Sequence, residues 1–163
     1  MGPDDVMLHT GAFNWTYTLG TGLCDPFVNG ATAVVHTGER DIHVWERLVR
    51  DHDATILASV PGIYRQLLRA GFKPPPSLRH GLTAGEALAI PLLDSWRSQT
   101  GLELYEGLGM SEISTYISSS PEVPVRPGSP GKPQPGRAVR ILDNGQIGVH
   151  RSDPGLMLRY WGE

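Results

Sequence analysis

The stretch Tyr105-Glu106-Gly107-Leu108-Gly109-Met110-Ser111-Glu112 brings two glycines, a hydroxyl and two carboxylates together in eight residues. Glycine lets a backbone turn sharply, or approach a ligand with no Cβ in the way. Ser111 supplies a hydroxyl and Glu112 a hard oxygen, donor types that suit a phosphate and its accompanying Mg²⁺. A helix N-terminus fits the same two residues, with Ser111 as the cap and Glu112 against the dipole. Leu102 to Tyr105 reads as a short buried strand. The octapeptide is therefore expected as a turn at that strand's carboxyl end, where open α/β sheets bind ligands. Gly85 and Glu86 follow another expected strand, so their backbone could reach the same end. A plain helix-opening turn is the alternative there.

Other suggestive patterns fail. Gly131-Lys132 has Arg126 where a phosphate loop needs its first glycine and Pro133 where it needs a hydroxyl, so a turn is expected. Gly107-Leu108-Gly109 has Glu112 at the third glycine of a dinucleotide fingerprint, which disfavours a nucleotide-binding oxidoreductase. His43, Glu46 and His52 lack a convincing further metal ligand and read as a solvated helix face. No G-x-S-x-G nucleophile elbow occurs.

The elements that must position the octapeptide alternate in type. Strands are expected at Val6 to Leu8, Ala31 to His36, Thr55 to Ala58, Leu78 to Thr83 and Leu102 to Tyr105. Helical spacing appears at Ile42, Trp45, Leu48 and Val49 behind Asp41 as N-cap, and at Ile63, Tyr64, Leu67 and Leu68 between Pro61 and Gly71. It recurs from Ile90 to Thr100, with Leu92, Leu93 and Trp96 inward and Gly101 as the stop. Thr16 to Phe27 is weakly helical and expected to break at Gly20 and Gly22. This alternation predicts an α/β fold with a mostly parallel sheet and flanking helices. A further strand is expected at Thr115 to Ser118, and a hairpin around Asp143-Asn144-Gly145. Six prolines between Pro121 and Pro135 mark the change to loops and short strands.

A length of 163 residues suits about one domain. The net charge of −3, with no basic cluster, argues against nucleic acid. A single cysteine, Cys24, leaves no internal disulfide framework. No apolar stretch approaches the roughly 20 residues of a membrane span, and a reducing, cytoplasmic location is the expectation.

The motifs together resemble the adenylate-forming acyl-CoA synthetases. Gly107 to Glu112 is similar to that family's fifth core motif, and Thr83-Ala84-Gly85-Glu86-Ala87 to its adenine-side loop. Pro127 to Pro133 with Pro135-Gly136 resembles its glycine- and proline-rich segment. Gly155 to Trp161 resembles its "G-x-x-x-G-Y-W" ending, with Arg159 where glycine is commoner. The resemblance implies an α/β subdomain over residues 1–124 that carries the adenylate half-site, then the β-rich start of a barrel subdomain over 125–163. It places Gly85, Glu86, Ala87, Glu106, Gly107 and Leu108 beside adenine and ribose, with Glu106 on the adenine amino group and Leu108 over the base. Aromatic Trp15, next to Phe13 and Asn14, would border an acyl pocket with Gly109 and Met110; Ser111 and Glu112 would be catalytic, Glu112 as the Mg²⁺ ligand. The aliphatic Leu108 leans toward the aryl-CoA ligase branch.

The activity so implied joins a small carboxylic acid to ATP and passes the acyl group to coenzyme A. The family's pyrophosphate loop, ribose aspartate and catalytic lysine are not found here. An internal fragment of the large N-terminal domain, inactive alone, is therefore expected. The alternative is a non-catalytic small-molecule-binding or self-associating α/β module, a homo-oligomer through exposed faces and sheet edges.

Overall fold

The computed structural model describes residues 1–162. Apolar runs form five parallel strands, β1 (Val6–His9), β2 (Thr32–Val34), β3 (Ile56–Ser59), β4 (His80–Thr83) and β5 (Glu103–Met110), in the order β2-β1-β3-β4-β5. β6 (Ser114–Ser118) and β7 (Lys132–Pro133) extend this sheet antiparallel to seven strands. β8 (Val139–Ile141) and β9 (Ile147–Val149) form a separate antiparallel hairpin. The α/β architecture and the small β-rich segment after it are those expected from the alternation of patterns. Gly131 leads directly into β7, and only glycine fits there because a Cβ would collide with the Ser118 backbone; the turn expected at Gly131-Lys132 is a strand entry.

One face of the sheet is covered by α3 (Ile42–Asp51), α4 (Pro61–Arg69) and α5 (Ile90–Thr100). Val49, Tyr64, Leu67, Leu93 and Trp96 from these helices are buried with Leu8, Leu57 and Leu104 of the strands in one core cluster. The sequence signals for helix ends hold. The Asp41 carboxylate accepts from the His43 and Val44 N–H groups at 2.7 and 3.0 Å, and Gly101 ends α5 at φ 72°.

The opposite face carries Met7, Ile56 and Ala58, and against it lies the helical stretch α1 (Thr16–Leu19), a π-helical turn (Gly20–Cys24) and α2 (Asp25–Val28). This stretch was expected to break at its glycines. Instead it stays helical by widening to π register, and Gly22 has a packing reason: a Cβ would stand 2.7 Å from that of His9. Tertiary contact overrides glycine's weak helix propensity here. Among the described residues, no helix is long and apolar enough to cross a membrane.

Candidate functional site

The octapeptide is strand for most of its length, which corrects the expectation of a turn. β5 continues through Gly107, Leu108 and Gly109 to Met110, and the chain reverses at residues 111–113 into β6. No helix follows Ser111, so the capping alternative falls. Nor does a helix open at Gly85-Glu86, since α5 begins at Ile90.

Both glycines serve the close approach of β6. A Cβ on Gly109 would meet the Ser114 carbonyl oxygen at 2.5 Å and Thr115 Cα at 2.8 Å, and one on Gly107 would meet Thr115 Cγ2 at 3.1 Å. The pairing slips register between Leu108 and Gly109, and Ser114 is held at φ 60°, left-handed backbone without glycine. Backbone of this kind concentrates at binding sites.

Three cavities meet around these glycines. The first, about 320 Å³, lies between Gly85–Leu88 and Glu106–Gly109, with Gly128 and Pro130 opposite. The second, about 170 Å³, is walled by Trp15, Ala84, Met110 and Ser111. The third, about 270 Å³, lies between Tyr17, Asp25, Gln134 and Arg137. Gly85 and Gly109 belong to both the first and second, Tyr17, Ser114 and Thr115 to both the second and third, and Glu106 and Gly107 to both the first and third.

The structure thus gathers Gly85, Glu86, Ala87, Glu106, Gly107 and Leu108 around the first cavity, and Trp15, Gly109, Met110 and Ser111 around the second. Glu106 Oε1 accepts from the Leu88 N–H at 2.9 Å, which fixes the carboxylate at the cavity wall. The Glu86 carboxylate instead turns to Arg65, 3.4 Å away, an exposed pair of little energetic weight.

Glu112 lies outside the cavity walls, in the turn after Met110. Its exposed carboxylate accepts from the Tyr160 hydroxyl, which holds its pKa below the ordinary glutamate value. Its carbonyl accepts from the Met157 N–H at 2.8 Å. Among the described residues no cluster of three ligating side chains could hold a metal. A lone accessible carboxylate nevertheless fits Mg²⁺, which is commonly bound through one or two carboxylates plus substrate phosphates.

The third cavity was not found from sequence. Its walls come from α1, the π turn, α2, β4, β5, β6 and the loop after β7, and no local spacing links Tyr17, Thr115 and Arg137. Arg137 anchors this region: it donates to Asp153 Oδ1 at 2.9 Å and to the Thr115 carbonyl at 2.8 Å. Burial would raise the Asp153 carboxyl, but the N–H groups of Gly155 and Ala138 together with Arg137 outweigh it and hold the group below its usual range.

A family model described as "AMP-binding enzyme" matches residues 1–161. Human mitochondrial acyl-coenzyme A synthetase ACSM3 (Homo sapiens) is 31% identical over 153 residues, covering 89% of this chain and 25% of that protein. The 3-hydroxybenzoate–CoA ligase of Aromatoleum sp. (strain CIB) is 34% identical over 157 residues, 94% of this chain and 30% of that protein. The chain therefore spans about a quarter to a third of the length of these curated relatives. Among solved structures, the anthranilate CoA ligase AuaEII in complex with anthranoyl-AMP superposes with a TM-score of 0.81 at 27% identity, over 91% of this chain and 30% of that one. A benzoate CoA ligase from Burkholderia xenovorans LB400 shares the fold, with a TM-score of 0.82 at 24% identity over 100% of this chain and 36% of that one. By its family match and its relatives, the chain belongs to the AMP-binding enzyme family, among acyl-CoA synthetases and aryl-CoA ligases.

Proposed function

We propose that the chain carries the adenylate half-site of an ATP-dependent carboxylate–CoA ligase. The observation that carries this reading is the meeting of three cavities at one glycine pair. An acyl-adenylate has three parts of matching kind, a base, a phosphate junction and an acyl group. The first cavity takes the adenine, with the Glu106 carboxylate accepting from the exocyclic amino group and Leu108 beside the ring. The phosphate lies at Gly109, which walls both the first and the second cavity. The second and third cavities take the acyl group, past Trp15 and Met110.

In the first step the carboxylate oxygen bonds to the α-phosphorus of ATP while the bond to pyrophosphate breaks. In the second, the thiol of coenzyme A takes the acyl carbon and AMP leaves. Both reactants of the first step are anionic, so positioning and charge stabilisation dominate. The Ser111 hydroxyl donates to an α-phosphate oxygen, and the Glu112 carboxylate is the side chain available to Mg²⁺, which offsets phosphate charge when bound. Turnover requires groups beyond the half-site, because this reading assigns neither of the chain's lysines, Lys73 and Lys132, to the cleft.

Calorimetric titration with AMP and Mg²⁺ tests the reading. Glu106→Gln keeps an acceptor for Leu88 but turns an amide N–H₂ toward the base; it should weaken AMP by about tenfold, the equivalent of one charged hydrogen bond. Glu112→Ala should remove the gain in affinity that Mg²⁺ confers. The isolated chain should show no carboxylate-dependent ATP–pyrophosphate exchange. Absence of AMP binding, or binding indifferent to both substitutions, would overturn the half-site; exchange activity would overturn the dependence on further groups.

A second reading, self-association without catalysis, draws on the helical stretch that lies against the opposite sheet face, where Phe27 and Val28 are 66% and 86% exposed. Light scattering on the purified chain decides it, since a strict monomer excludes it.

A further inference from the structure

Glu112 stands on an exposed reversal between β5 and β6, yet one later stretch of chain holds that reversal at several points. The Met157 N–H donates to the Glu112 carbonyl at 2.8 Å. The Arg137 guanidinium donates to the Thr115 carbonyl at 2.8 Å and to the Ile113 carbonyl at 3.4 Å. The Tyr160 hydroxyl donates to Glu112 Oε1. Backbone and side chain of the same glutamate are therefore both held from residues 137–160.

That stretch is itself anchored. Asp153 is buried, with Oδ1 accepting from Arg137 and from the Gly155 N–H, each at 2.9 Å, and Oδ2 accepting from the Ala138 N–H at 2.8 Å. Bonds of this charge-assisted kind are the strong ones. The Leu156 N–H closes the turn on the Asp153 carbonyl at 3.1 Å, which directs the chain back to Glu112. Glycine is needed inside the turn, because a Cβ on Gly155 would stand 1.5 Å from Arg137 Nη1 and push the guanidinium off its carboxylate. Apolar packing does not account for the placement of Tyr160, since Leu158 and Trp161 around it are fully exposed.

An exposed glutamate samples many rotamers, and ordering it opposes the binding of a cation. A donor on one carboxylate oxygen removes part of that freedom and leaves the second oxygen to the metal. Carboxylates that ligate metals ordinarily carry such an outer hydrogen bond.

We propose that Tyr160 is a positioning residue for Mg²⁺: its hydroxyl holds Glu112 Oε1 and leaves Oε2 to the cation, while the Asp153–Arg137 pair sets the stretch that carries it. The inference rests on the adenylate reading above and adds to that half-site a residue from the β-rich segment. A contact that merely blocked the carboxylate would act with the opposite sign.

The test is calorimetric titration of the full chain with AMP, with and without Mg²⁺, for the parent, Tyr160→Phe, Glu112→Ala and the double variant. Tyr160→Phe keeps the ring and loses only the hydroxyl. It should reduce the gain in AMP affinity that Mg²⁺ confers by about fivefold, the order expected for ordering one long side chain, and should leave the Mg²⁺-free affinity at the parent value. The double variant should match Glu112→Ala, because the hydroxyl acts only through that carboxylate. Mn²⁺, which takes the same oxygen ligands, gives a second reading: the signal of the free ion in electron paramagnetic resonance should persist to higher concentrations of AMP-loaded Tyr160→Phe than of the parent. An unchanged or enlarged Mg²⁺ gain in Tyr160→Phe, an equal loss without metal, or a further loss on top of Glu112→Ala would overturn the proposal. If Glu112→Ala removes the gain and Tyr160→Phe does not, the proposal alone falls. If the parent shows no gain, or Glu112→Ala keeps it, the metal assignment falls with it, and the adenine side of the half-site is judged separately by Glu106→Gln.

Discussion

Gly109→Ala should destabilise the chain by about 3 kcal/mol and abolish AMP binding, while the same substitution at Gly62 should stabilise it by roughly 0.5 to 1 kcal/mol. The opposite signs follow from what each new methyl meets. At Gly109 the Cβ would stand 2.5 Å from the Ser114 carbonyl oxygen and 2.8 Å from Thr115 Cα. Both are backbone atoms of the paired strand, so no rotamer change relieves the contact. Relief requires β6 to move, and β6 is held by the pairs Gly109↔Thr115 and Met110↔Ser114 on one side and by β7 on the other. Ser114 already sits at φ 60° and has little freedom to yield. Gly109 also walls two of the three cavities, which ties the lost stability to lost binding. At Gly62, inside α4, nothing lies within 4 Å of the added carbon. There alanine only removes the entropy glycine loses on entering a helix. Urea denaturation of both variants beside the parent chain measures the pair. Equal effects of one sign would show that β6 does not press on Gly109.

How far such contacts could be read in advance depends on their range along the chain. Helix ends were legible because their signals are local: Asp41 caps the helix three residues behind its own acceptor contact with Val44, and Gly101 supplies the positive φ that its position demands. The parallel order was legible because strands and helices alternate. The octapeptide's residue types drew attention to the carboxyl half of β5, which three cavities border, but its shape was misread. Glycines suggested a turn, and their actual cause is a neighbouring strand four residues beyond Met110 at its nearest pairing partner, Ser114, which no residue pattern within the octapeptide announces. The π turn has the same origin, since Gly22 answers to His9 on a strand that precedes it. The third cavity is the extreme case: Tyr17, Gly107, Thr115 and Arg137 converge only when the helical stretch, two strands and a loop have been placed. Pairwise motifs carry chemistry that one segment performs. A cavity walled by segments this far apart in sequence leaves no such trace.

Stability should fall by about 3 kcal/mol as pH drops from about 7.5 to about 4, through one buried imidazole. His9 is 2% exposed on the covered face of β1, and burial pushes its pKa down to about 4. Its Nδ1 accepts from the Gly11 N–H at 2.9 Å, which places the proton on Nε2. Nε2 itself is buried without a partner, so no carboxylate stands ready to favour a second charge. In the unfolded chain the same group titrates near 6.5. Between that value and about 4 the unfolded state binds a proton that the native state refuses, so the stability present above pH 6.5 drains away as pH falls. Asp25 acts in the opposite sense, because burial raises its carboxyl and protonation there favours the native state. Asp5 and Asp153, held low by their partners, contribute only at more acid pH. His9→Asn separates these terms. The amide oxygen can still accept from Gly11, but nothing titrates, so the loss of stability between pH 6.5 and 4.5 seen by urea denaturation should largely vanish. An unchanged slope would show that His9 is not the group responsible.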